Sequence, residues 1–153
     1  MTLFETRIPP PVVGLICGAL MWFTDRLAAP IDVPPPLRYG LALLLAAAGV
    51  AVSGAAARTF GRAKTTLNPL TPAEASALVT SGIFSYSRNP MYVGMLLLLA
   101  GWAVFLSNPL GLAGLALFMF WITRFQILPE ERALATLFGE EFARYRQRVR
   151  RWL

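Results

Sequence analysis

The chain has 153 residues, of which 56% are hydrophobic and 14% charged, and its formal net charge is +6. Its mean hydropathy is strongly positive, which excludes a soluble domain with a polar exterior and, at this length, a soluble catalytic domain beside a membrane bundle. The single cysteine, Cys17, lies in an apolar run and histidine is absent, so a disulfide framework, a metal site of the cysteine or histidine type and imidazole base catalysis are excluded as well.

A helix that crosses the hydrocarbon core needs about 20 mostly apolar residues. The first candidate is 12–29, with Asp25 and Arg26 near its end. A cleaved signal peptide over the same stretch is disfavoured by its weakly basic start. Pro30 and the run Pro34, Pro35 and Pro36 form a connector, because proline lacks an amide donor and fixes φ. The second candidate is 37–57, and a polar loop, 58–90, follows it. Within that loop Thr71-Pro72-Ala73-Glu74 is a helix-start signal, predicting a short helix over 72–79 that Gly82 ends. The third and fourth candidates, 91–106 and 110–125, are joined by Ser107-Asn108-Pro109, a turn short enough to force an antiparallel hairpin. After Pro129 the residues Leu134, Leu137, Phe138, Phe142, Tyr145, Val149 and Trp152 recur at three- and four-residue steps, predicting an amphipathic helix over 130–152 that lies in the headgroup plane or caps the bundle. The predicted fold is an all-α integral membrane bundle: one domain, four transmembrane helices, a re-entrant loop and a C-terminal amphipathic helix.

Orientation follows from basic residues near the spans. Arg58, Arg62, Lys64 and Arg88 occupy the long loop, and Arg132, Arg144, Arg146, Arg148, Arg150 and Arg151 follow the fourth span, whereas the opposite connections hold Arg26 and Arg38. The positive-inside rule then puts both termini and the long loop in the cytoplasm of a cell whose inner, cytoplasmic membrane carries the protein. The positive charge suits anionic lipid, and no groove-reading motif supports a nucleic-acid partner.

That topology brings two polar stretches to one side. Ser87-Arg88-Asn89-Pro90-Met91-Tyr92-Val93-Gly94 enters the third span, and the segment from Arg124 to Arg132 leaves the fourth with Glu130 and Glu131 adjacent. Charged and amide groups at the edge of apolar helices are costly unless they hold a ligand, one another or backbone, so a polar ligand site is expected there. Each residue also has a plainer reading. Arg88 could snorkel to headgroups, Glu130 and Glu131 could favour a helix dipole, and Gly94 and Gly101 could be close-packing positions.

The order Gly82-Ile83-Phe84, Arg88 to Gly94, Glu130-Glu131 and then Leu137-Phe138-Gly139-Glu140-Glu141-Phe142-Ala143-Arg144-Tyr145 resembles the isoprenylcysteine carboxyl methyltransferase family and, in outline, the related phospholipid N-methyltransferases. The resemblance implies a membrane bundle that wraps S-adenosyl-L-methionine while a lipid or lipid-modified acceptor arrives from the bilayer. It implies a cofactor pocket of Ser76, Ala77, Leu78, Val79, Phe84, Asn89, Pro90, Met91, Tyr92, Gly94, Glu130 and Glu131, with Arg88, Asn89 and Glu130 as catalytic candidates and Arg124 and Gln126 on the acceptor side. The sequence departs from the family pattern in three places. Asn89 stands where the family has histidine before proline, Phe84 where it has tyrosine, and Gln126 where it has arginine. Asparagine keeps a hydrogen bond to the cofactor but removes proton transfer.

Methyl transfer from a sulfonium is an in-line displacement, so a protein mainly aligns donor and acceptor and excludes water. An ionised carboxylate or thiolate acceptor needs no general base, which fits a chain without histidine. Two other classes compete. Arg88-x-Pro90-x-Tyr92-x-Gly94 is also similar to the C-terminal end of steroid-reductase-type membrane enzymes, which implies NADPH. A small four-helix transporter or interaction subunit would have no chemistry.

Overall fold

The computed structural model describes residues 5, 7–63 and 77–153, and all regular structure among them is helical. Helix α1 (Pro10–Thr24) runs into a short 3-10 turn (Asp25–Leu27). Helix α2 (Pro35–Ala63) is followed by a 3-10 turn (Gly82–Ser85), then α3 (Pro90–Leu106), α4 (Gly111–Ile122), a π-helical segment (Thr123–Ile127) and α5 (Leu128–Arg148). Helices α1, α3 and α5 each carry proline in the first turn, where its missing amide costs nothing and its fixed φ favours the helix.

Helix boundaries depart from the sequence prediction for physical reasons. The first span stops at Thr24 rather than 29, because the chain tightens into the 3-10 turn at Asp25–Leu27 and Ala28, two residues before Pro30, is already extended. Helix α2 continues past 57 to Ala63, since Arg58 and Thr59 bond back to the carbonyls of Gly54 and Ala55 and do not end it. Of the short helix expected over 72–79, residues 72–76 lie outside the described residues, and Ala77, Leu78 and Val79 are not helical.

The fourth span and the last helix are not separate elements. The Leu128 amide bonds to the Thr123 carbonyl five residues back, and this wide turn accommodates Pro129, which a regular α-turn would reject. The last helix in turn is not continuous to 152. It kinks at Gly139 (φ 48°, ψ −119°), a conformation open only to glycine, ends at Arg148, and leaves Val149 extended.

Helices α2 and α3 pack along a seam of small residues. A β-carbon at Gly94 would lie 2.7 Å from the Gly49 carbonyl and would strike Ser53, and one at Gly101 would lie 2.8 Å from the Ala42 carbonyl. Backbones that approach this closely gain dispersion contact without needing a hydrophobic drive. Val13, Cys17 and Met21 of α1, Tyr92, Leu99 and Leu106 of α3, Phe118 and Ile122 of α4, and Ile127 form the main core. The outside is apolar too, with Leu15, Phe23, Leu43 and Leu112 largely exposed. Among the described residues, two helices, Pro35–Arg62 and Gly111–Arg148, are long and apolar enough to cross a membrane, and Pro90–Leu106 is a shorter apolar one.

Both ends of the bundle are tied. At one end Asn108 Nδ2 donates to the carbonyls of Asp25 (2.6 Å) and Ala28 (3.2 Å), and Ser107, in the left-handed region at φ 57°, exchanges bonds with Ile31. At the other, Gln126 donates to the Ile8 carbonyl and Arg88 pairs with Glu131. The start of the chain, the entry to α3, the π segment and the C-terminal tail therefore share one end, the pairing of polar stretches that the sequence topology requires.

Candidate functional site

The adjacent carboxylates at that end have opposite partners. Glu131 is a buried anion between two guanidiniums: Arg88 Nη2 lies 2.6 Å from its Oε1, and Arg151 reaches Oε1 at 3.0 Å and Oε2 at 2.7 Å. Desolvation works to raise its pKa, but the bonds and charges of Arg151 and Arg88 outweigh that and hold it below the usual carboxylate value. Glu130 instead accepts from the Tyr92 hydroxyl at 2.6 Å. Desolvation raises its pKa, the Tyr92 bond opposes, and the Glu131 charge adds, leaving it at about 7. Of the two, Glu130 is the carboxylate without an ion-pair partner among the described residues.

The first polar stretch is stapled to the C-terminal tail. The Arg88 amide donates to the Arg150 carbonyl (3.0 Å), and Arg88 Nη1 donates to the carbonyls of Val149 (2.8 Å) and Arg146 (3.2 Å). Asn89 Nδ2 donates to the Arg151 carbonyl (2.9 Å), and Ser87 Oγ reaches the same oxygen at 3.4 Å. Trp152 Nε1 closes the tail onto Thr123 Oγ1 at 3.2 Å. Every one of these bonds satisfies a tail carbonyl or donor that the end of α5 would otherwise leave open. Above them, Phe142, Tyr145 and Val149 cover Leu78, and the Tyr145 hydroxyl donates to the Phe84 carbonyl at 2.7 Å. Burial pushes that phenol up to about 12, against the opposing charge of Arg88.

The residues named from the sequence thus divide. Arg88, Asn89, Pro90, Tyr92, Glu130 and Glu131 come together around one point, with Phe84 and Leu78 in the layer beneath the last helix. Met91, Ala77 and Val79 are half-buried nearby in sequence, and Ser76 lies outside the described residues. Gly94 faces the α2 backbone, as the packing reading has it. Arg124 and Gln126 turn to the N-terminal segment: Arg124 pairs with Glu5, and fully buried Gln126 bonds to Ile8. Sequence reasoning missed Arg151 as a site-building residue, and gave Ser87 and Tyr145 no role of their own beyond membership of the two motifs. Arg151 looks like one more basic tail residue, and nothing in its spacing signals the return to Glu131.

The Arg88 Nε atom is buried and makes no hydrogen bond among the described residues.

An all-helical bundle with an apolar exterior and helices long enough to cross a bilayer is that of an integral membrane protein. The family model described as phospholipid methyltransferase matches residues 37–141, so the chain belongs to that family. It is 38% identical over 76 residues to a protein-S-isoprenylcysteine O-methyltransferase of Xenopus laevis (50% of this chain, 26% of that one). It is 32% identical over 111 residues to protein-S-isoprenylcysteine O-methyltransferase B of Arabidopsis thaliana (72% and 55%). An uncharacterized Haemophilus influenzae protein is 46% identical over 63 residues, 41% of this chain and all of that one. The chain thus spans from a quarter to just over half of these two methyltransferases. No solved structure matches it.

Proposed function

We propose that the protein is a membrane methyltransferase that uses S-adenosyl-L-methionine and methylates a lipophilic acceptor, an isoprenylcysteine carboxylate or another lipid. The observation that carries this reading is Glu130: a desolvated carboxylate, held by Tyr92 beside an already paired Glu131, has no ion-pair partner among the described residues, and a ligand's cation would stabilise it as an anion. The ammonium of the cofactor's methionyl part meets that need, and Arg88 Nε is available to its carboxylate. When bound, the cofactor supplies an electrophilic methyl group on a sulfonium.

The chain's own residues bind, orient and exclude water. Glu130 and Arg88 set the position of the polar end, Tyr92 sets the Glu130 carboxylate, and the tail with Phe142 and Tyr145 covers the layer that holds Phe84. Asn89 is a positioning residue here, since its amide holds the tail at Arg151. We place the site on the cytoplasmic face of a four-crossing bundle in which α1, α2, α3 and α4 each traverse the bilayer, the acceptor entering laterally.

Glu130→Gln keeps the hydrogen-bonding shape and removes the charge, so its affinity for S-adenosylhomocysteine should fall about tenfold or more. Calorimetry on the purified protein tests this, with NADPH as the competing ligand. Binding of NADPH without S-adenosylhomocysteine would favour the reductase reading, and binding of neither would favour a protein without this chemistry.

A further inference from the structure

A second polar feature lies away from Glu130, where the N-terminal segment crosses the π-helical turn. Glu5 is 7% exposed in its side chain and receives two guanidiniums, Arg124 Nη1 at 3.4 Å from Oε1 and Arg132 Nη2 at 2.9 Å from Oε2. Those arginines remain substantially open, at 40% and 59%. Among the described residues, one carboxylate faces two guanidiniums here. Beside it, Met119, Phe120, Thr123, Arg124 and Leu128 line an open lateral groove of about 380 Å³. Its apolar wall belongs to the outer side of the bundle, where Phe120 is 63% exposed. Arg124 belongs to both features: its stem borders the groove and its head faces the anion.

We propose that this is a binding site for an anionic phospholipid, with the phosphate between Arg124 and Arg132, one acyl chain in the groove, and Glu5 as an internal anion that competes for the same guanidiniums. Two guanidiniums at the mouth of an apolar groove match a phosphodiester attached to a hydrocarbon chain, whereas a zwitterionic headgroup would bring a choline cation to the same guanidiniums. Two residues apart on one helical turn, Arg124 and Gln126 take opposite faces, so Arg124 points outward while Gln126 is turned in to Ile8. The inference rests on the chain lying in a bilayer and is independent of methyl transfer.

Native mass spectrometry of the full chain, released from micelles holding equal dioleoyl-phosphatidylglycerol and dioleoyl-phosphatidylcholine, tests it. Wild type should retain the glycerol lipid in preference. Arg124→Gln and Arg132→Gln should each lower that preference about fivefold, and Glu5→Gln should raise it by a similar factor. Glu5→Gln keeps the test sound if the arginine variants fold poorly, because misfolding does not produce a gain. Met119→Trp, which narrows the groove, should release the lipid. Equal retention of the two lipids by wild type, or an unchanged preference in Glu5→Gln, would overturn the proposal. Displacement of the lipid by an equal concentration of inorganic phosphate would overturn it too, since it would mean an ion site without a chain site. S-adenosylhomocysteine affinity measured on the same preparations reports separately on the Glu130 site.

Discussion

Glu130 and Glu131 are neighbours of one residue type with opposite environments, and the difference is chemical. Glu131 shares two guanidiniums and is held ionised; Glu130 shares a phenol and sits at about 7. Below that value Glu130 is protonated and gives nothing to a cation, and above it the anion is available. Affinity for S-adenosylhomocysteine should therefore rise as pH increases through about 7 and then level off, with Glu130→Gln flat over the same range. Tyr92→Phe sharpens the test. The Tyr92 hydroxyl favours the anion, so its loss should move the midpoint of the binding profile upward and weaken binding at neutral pH roughly three- to tenfold. Calorimetric titrations at several pH values would check both, and an unmoved midpoint in Tyr92→Phe would show that the phenol is only packing.

At the scale of elements, function depends on how closely α3 lies against α2. Pro90 opens α3 about one turn before Gly94 with Tyr92 between them, and Gly94 allows that turn to rest on the backbone of Gly49 and Ser53. Gly94→Val would push α3 away and displace Tyr92 from Glu130. The variant should lose about 1 to 3 kcal/mol of stability in detergent unfolding and bind S-adenosylhomocysteine at least as poorly as Tyr92→Phe. The last element shows a different device. Gly139 folds the second part of α5 back over Leu78 and Phe84, and the extended tail then reaches Arg88 and Asn89. An unbroken amphipathic helix, as its apolar spacing predicts, would have carried Arg151 away from Glu131.

For the whole molecule, alternation of helices puts Pro109 at one end of the bundle and the Arg88–Glu131 pair at the other. Basic residues crowd the latter end, so it should face the cytoplasm. In a Cys17→Ala background, a cysteine at exposed Pro109 should react with an impermeant thiol reagent in intact cells, and one at exposed Arg148 should react only after permeabilisation. Labelling at Arg148 with protection at Pro109 would invert the orientation and move the site to the other face. Pro109 is the better probe of that turn because neighbouring Asn108 is buried and holds Asp25 and Ala28.

Much of this was legible in the chain because it is local or additive. Hydropathy required helices in an apolar solvent, proline positions marked where helices open, and the count of crossings sent Ser87 to Gly94 and Glu130 with Glu131 to the same end. Only the tertiary structure decided which of two adjacent glutamates is spent on arginine and which accepts from a tyrosine. That choice depends on Arg151 returning across twenty residues and on Tyr92 arriving from another helix, contacts that leave no periodic trace in sequence. Tertiary packing also decided that Pro129 would be accommodated by a π turn without ending the helix, because neighbouring helices hold Ile122 and Ile127 on both sides of it at zero exposure.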